Sequence, residues 1–154
     1  MLISQILLGL VATVSAIDIR LYTNGNNCGG ANFFSQNANP DFCCSGVDIN
    51  VYPSVGFHAI PTDWVLQCHG HANGRCNDLR QVLTARNTQD VCLTSGPFSG
   101  GGYGFTSRKR LNGATEACAT TEGCTKHVKP DMLELEDGTL YRIAGIDDAS
   151  LTEL

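Results

Sequence analysis

Apolar and polar residues alternate along much of this chain, and that alternation predicts strands. Ile17-Asp18-Ile19-Arg20-Leu21-Tyr22 alternates before the turn-forming Thr23-Asn24-Gly25-Asn26-Asn27. Residues 47–55, VDINVYPSV, alternate likewise, with Pro53 assigning them to a sheet edge or a break. Asp63 to Cys68 and Val91 to Thr94 are further strand candidates. In LELEDGTLYRIA, Asp137-Gly138 stands between two alternating runs, the strongest short-range hairpin signal. Helical patterning is confined to residues 77–86, NDLRQVLTAR, which predict about two turns with Asn77 as the N-cap. GGGYGF, at residues 100–105, reads as a flexible turn. The expected class is mostly β.

The first residues change the compartment. Ile6 to Val14 is apolar but too short to span a bilayer, and Val14-Ser15-Ala16 supplies the small residues of a cleavage site. Residues 1–16 are therefore expected to be a signal peptide, with Ile17 the mature N-terminus and the protein secreted. No later segment approaches the roughly 20 apolar residues of a membrane helix, so no membrane span is expected. In an oxidising compartment the eight cysteines, Cys28, Cys43, Cys44, Cys68, Cys76, Cys92, Cys118 and Cys124, read as up to four disulfides. All eight are expected to be oxidised. The neighbours Cys43 and Cys44 are expected to staple one segment to two different places. Cys118 and Cys124 are expected to pair locally across ATTEG.

CHGHANGRC, residues 68–76, holds the densest group of metal-ligand residue types. Cys68-x-x-His71 has the spacing of half a zinc finger, but an oxidised sulfur is no longer a zinc-binding thiolate. The expectation is a stapled loop with no metal site. Gly70, Ala72, Asn73 and Gly74 place His69 and His71 on an exposed loop.

Charge divides the chain into a segment of net +1 over residues 17–110 and one of net −6 over residues 111–154. The join is Arg108-Lys109-Arg110, a candidate processing site, since secretory endoproteases cut after dibasic pairs in an extended backbone. The plainer reading is an acidic hairpin packed beside a basic loop of one domain. The expected organisation is a signal peptide (1–16), a disulfide-rich β domain (17–110) and an acidic C-terminal segment with a β-hairpin (111–154).

Three stretches carry a family resemblance: Leu21 to Gly30, LYTNGNNCGG; Ser54 to Cys68, SVGFHAIPTDWVLQC; and residues 91–105, VCLTSGPFSGGGYGF. In each an aromatic residue stands near a glycine-containing turn, and residues 19–105 resemble βγ-crystallin-like domains, especially small disulfide-rich ones among secreted microbial toxins and inhibitors. The resemblance implies a small disulfide-stapled antiparallel β-sandwich. Calcium-binding members carry Asn/Asp-Asn/Asp-x-x-Ser/Thr-Ser; Asn77-Asp78 and Asp147-Asp148 lack its closing hydroxyl pair, so no calcium site is expected.

Catalytic candidates are His58, His69, His71 and His127, with Asp63 or Asp78 near in sequence. No Gly-x-Ser-x-Gly elbow or His-Glu-x-x-His helix accompanies them, and GGGYGF lacks the Gly-Lys-Ser/Thr of a phosphate loop, so no cofactor is expected. The negative net charge argues against nucleic acid. The expected function is that of a secreted interaction protein, effector-like or toxin-like, binding an extracellular protein or glycan. The alternatives are a small extracellular enzyme using His and Asp residues, or a glycan-binding module. Candidate binding residues are Asp63, Trp64, His69 and His71. Trp64, the only tryptophan, is expected to fill the core, with a surface contact as the alternative.

Overall fold

The computed structural model describes residues 17–46, 51–106 and 126–146, together with Ser150. The strands in chain order are β1 (Ile17–Tyr22), β2 (Asn32–Ala38), β3 (Phe42–Ser45), β4 (Ser54–His58), β5 (Val65–Ala72) and β6 (Asp78–Arg86). They are followed by β7 (Val91–Leu93), β8 (Gly100–Phe105), β9 (Lys126–Val128), β10 (Met132–Glu134) and β11 (Leu140–Arg142). One sheet has the order β11-β10-β2-β1-β4-β7 and the second β6-β5-β8-β3-β9. Neighbours are antiparallel except β3 and β9, which run parallel.

The alternation read in β1 is realised directly. Ile17, Ile19 and Leu21 are fully buried, and they meet Val55, Phe57 and Leu93 of their own sheet and Leu66, Cys68 and Tyr103 of the other in one core. Burying each large apolar side chain contributes roughly 1.5–3 kcal/mol, and two sheets closing on one another bury both inner faces at once. The fold is a small disulfide-stapled β-sandwich. The buried Tyr103 hydroxyl donates to the Ala38 carbonyl at 2.7 Å, which ties the two sheets together.

The Asp137-Gly138 hairpin forms as expected: β10 pairs with β11, and Gly138 takes a φ of +86° that favours glycine. Its other edge pairs with β2, so the acidic segment is hydrogen-bonded into the first sheet while β9 extends the second. Among residues 47–55, strand structure begins only at Ser54, and residues 47–50 lie outside those described. So do residues 1–16, the basic triplet Arg108-Lys109-Arg110, and Cys118 and Cys124. Among the described residues no helix is long and apolar enough to cross a membrane.

Two expectations are overturned. Residues 77–86 do not form a helix; β6 is an edge strand paired with β5 from Asp78 to Arg86. Leu79, Val82 and Leu83 imitate helical spacing, yet strand pairing across the whole length of β5 satisfies more backbone groups than two isolated turns. GGGYGF is likewise no turn but the buried strand β8, flanked by β5 and β3. Its glycines answer to packing: a Cβ on Gly101 would lie 2.9 Å from Val55 Cγ1, and one on Gly100 would lie 2.8 Å from the Cys44 carbonyl oxygen.

Gly70 on β5 is under the same constraint, since a Cβ there would lie 2.5 Å from Phe98 Cε1 and 2.9 Å from Leu93 Cδ1. Gly70→Ala should therefore cost about 1–3 kcal/mol of stability by overpacking, against the small gain alanine normally brings to a strand. Urea unfolding of the variant checks this, and an unchanged midpoint would refute the packing argument.

Candidate functional site

The sequence-predicted binding residues do not assemble into one surface. Asp63 is exposed in the turn before β5, where the Trp64 amide donates to the Pro61 carbonyl at 3.0 Å. Trp64 packs against the rim of the core, edge-on to Phe105 with ring centroids 4.8 Å apart. His69 and His71 lie on β5 and are buried, not on an exposed loop. The turn-forming residues of CHGHANGRC take effect only from Asn73 onward, because β8 and β6 flank the preceding strand on both sides.

Strand alternation also decides the fate of Cys68-x-x-His71. Cys68 belongs to the inter-sheet core, and an odd separation along a strand turns His71 to the opposite face. The two do not converge on a common ion. Burial pushes the Cys68 thiol up to about 12, so it stays a protonated, core-filling group. Burial, with the neighbouring His69 adding to it, holds His71 down at about 4 despite the opposing Asp78 carboxylate. Neither ring nitrogen of His71 has a hydrogen-bond partner among the described residues.

The cysteine framework differs from full oxidation. Cys28 bonds Cys92, and Cys43 bonds Cys76, across sequence separations of 64 and 33. Cys44 and Cys68 are buried free thiols. The neighbours Cys43 and Cys44 therefore do not staple two places: alternation sends Cys43 to its disulfide and Cys44 to the core. Cys44 and the Ser35 hydroxyl form a buried hydrogen bond, and burial raises the Cys44 thiol to about 12.

A polar array missed by the sequence reading occupies the outer face of the six-stranded sheet. Asp18, Arg20 and Tyr22 alternate with the core residues of β1, and register places them opposite His58, Gly56 and Ser54 of β4. The Tyr22 hydroxyl and His58 Nε2 are 2.8 Å apart, and His58 Nδ1 lies 2.7 Å from Asp90 Oδ1. Burial raises the Tyr22 phenol above its ordinary value, with Arg20 opposing and Glu134 and Asp90 adding to the rise. The protonated phenol donates to Nε2, leaving Nδ1–H to donate to Asp90. Gly56 makes room for this bond: a Cβ there would lie 2.6 Å from His58 Nε2 and 2.8 Å from Tyr22 Cε2.

Beside this relay, Arg20 is held from three directions. Its guanidinium stacks 4.1 Å above the Phe34 ring, donates to Asn32 at 3.3 Å and pairs with Glu134. Asn32 and Phe34 face Tyr22 and Arg20 from β2, and Glu134 faces Asn32 from β10. Residues 23–31 fold over one end of this face. The Cys28 amide donates to the Ser54 hydroxyl, which donates to the Gly25 carbonyl, each at 3.2 Å, and the Cys28–Cys92 disulfide anchors the loop to β7.

A second histidine pairing lies on the other sheet, where the Ser45 hydroxyl bonds His127 Nε2. Burial lowers the His127 imidazole, with Arg75 and Lys129 adding to the effect, so it is neutral and base-like at pH 7. This is the hydrogen bond of a nucleophile and its base, but Ser45 is fully buried, closed to a substrate. The His58 array presents only a phenol held protonated, a poor nucleophile. The two histidine pairings belong to different sheets, so they do not combine into one triad. Among the described residues no group of three or more His, Cys, Asp or Glu side chains gathers to hold a metal ion. The arrangement suits recognition better than turnover.

Compared with known proteins, residues 18–131 match the family model ARB_05566_N, described as an N-terminal domain. No curated protein and no solved structure matches the chain.

Proposed function

The chain belongs to the ARB_05566_N family, and from that premise and the fold we propose that it is a secreted, disulfide-stabilised binding module. It acts, effector-like or toxin-like, by contact with an extracellular protein or glycan. The apolar run Ile6 to Val14 with its small-residue cleavage site supports secretion, as do two disulfides, which persist in oxidising compartments. The βγ-crystallin-like resemblance remains part of this reading, and a two-sheet sandwich agrees with it in class.

The observation that carries the proposal is the fixed position of Arg20. Both of its side-chain hydrogen bonds to described residues run through Nη1, so the remaining guanidinium donors stay available to a partner's oxygen atoms. Stacking on Phe34 and pairing with Glu134 hold the group in place before binding. Preorganisation of this kind removes ordering entropy from association. Arg20, His58 and Asp90 thus offer a cation, an imidazole edge and a carboxylate on one rigid face, which suits a hydroxyl-rich or carboxylate-bearing ligand.

Immobilised wild-type protein is challenged with a glycan array and with extracellular-matrix and cell-wall extracts, beside the Arg20→Ala/His58→Ala variant. The wild type retains a ligand, and the variant, with unchanged thermal unfolding, retains at least about tenfold less. Equal retention by both would remove the proposed face from consideration. Turnover of a glycoside or peptide substrate that His58→Ala abolishes would replace the binding reading with an enzymatic one.

A further inference from the structure

The sandwich has four sheet edges, and three of them are blunt. Strands β7, β9 and β11 each span three residues, whereas β6 spans nine. Long exposed edges invite another chain to pair, and proteins normally shorten them or interrupt them with lysine or proline. Strand β6, DLRQVLTAR, contains neither. It also displays Leu79, Val82 and Leu83 at 42, 38 and 39% exposure, three of the large apolar side chains that reach solvent among the described residues.

We infer that β6 is a self-association edge, and that its occupant is β6 of a second copy of this chain, antiparallel about a two-fold axis at Val82. The charges choose that register. Centring on Val82 sets Asp78 opposite Arg86 of the other copy, twice by symmetry, with Leu79 opposite Ala85 and Val82 opposite itself. Centring one residue later, on Leu83, would set Arg80 against Arg86, like charge on like. Centring one residue earlier, on Gln81, would leave Asp78 opposite Thr84 and Arg86 without a carboxylate. Parallel in-register pairing would stack Asp78 on Asp78 and Arg86 on Arg86. Arg80, the remaining charge on the strand, is already turned inward, donating through Nη2 to the Gly96 carbonyl at 3.1 Å and through Nε to that of Ser95.

Such pairing joins two five-stranded sheets into one of ten strands. The inference is independent of the ligand face proposed above, which lies on the other sheet.

Analytical ultracentrifugation of the secreted chain across a hundredfold concentration range is the test. A concentration-dependent monomer–dimer equilibrium is expected. Val82→Lys, which places two ammonium groups face to face, should leave only monomer with unchanged thermal unfolding. Asp78→Arg and Arg86→Asp should each weaken the dimer roughly tenfold, and the double exchange should restore it, because opposed pairs reform with reversed sign. Monomer at every concentration, or a dimer indifferent to these exchanges, would overturn the proposal. So would a β6 that pairs only with a foreign extended peptide.

Discussion

Removing the Cys28–Cys92 disulfide by a double alanine substitution should cost about 4 kcal/mol, the largest loss expected from any cross-link described here. The bond closes a separation of 64 residues, and in the chain-entropy account the stabilisation grows with the logarithm of that length. The Cys43–Cys76 bond closes 33 residues and should contribute roughly 0.6 kcal/mol less on the same account. Urea unfolding of the two double variants tests both the size and the order. The dependence on urea should also steepen in each, because an uncross-linked unfolded chain exposes more surface. A loss under about 1 kcal/mol for Cys28–Cys92 would show that entropy of the unfolded chain is not what this bond restrains. The functional consequence is local. Without the bond, residues 23–31 keep only hydrogen bonds such as those of Cys28, Thr23 and Ser54, so the ligand face should lose its rim before the sandwich unfolds.

The second large effect is acid destabilisation through His71. Burial holds the folded imidazole at about 4, whereas the unfolded chain titrates near 6.5. Above pH 7 both states are neutral at this position and contribute no pH dependence. As pH falls below 6.5 the unfolded chain takes up a proton that the folded chain refuses, so stability declines until about pH 4 and then levels off. The difference amounts to about 3 kcal/mol over the whole window and about 2 kcal/mol by pH 5, above the range where most carboxylates titrate. His127, also lowered, adds to the decline in the same direction. Unfolding midpoints at pH 7 and pH 5 should therefore differ in the wild type and differ much less in His71→Gln. Equal pH sensitivity in the two proteins would assign the acid response to other groups.

How much of this was legible in the chain depends on the range over which each feature is decided. The period-2 runs of β1, β5, β7 and the β10–β11 hairpin could be read because adjacent residues on a strand point to opposite faces, and because Asp-Gly suits a tight turn. Segments with mixed signals were misread. Leu79, Val82 and Leu83 fit a helical stripe, and the glycines of β8 fit a turn, until neighbouring strands impose pairing on both. The alternation of Tyr103 and Phe105 was the signal that could have marked β8 as a strand.

The candidate site was the least legible. Tyr22 and His58 are 36 positions apart, and Arg20 and Glu134 are 114 apart. No local motif encodes such meetings, since they follow from the order β10-β2-β1-β4 in which the strands pair. The histidines that drew notice by crowding, His69 and His71, were buried for the same reason: two flanking strands enclose the segment that carries them. The sequence by itself determined the mostly β class, the faces of its clearest strands and the turn at Asp137-Gly138, because side-chain alternation and backbone sterics act between neighbours. Only the tertiary structure decided which cysteines pair, which glycines carry packing constraints and which polar residues share the ligand face. Those outcomes depend on the closeness of residues distant in the chain, a closeness set by burying both sheets' apolar faces together.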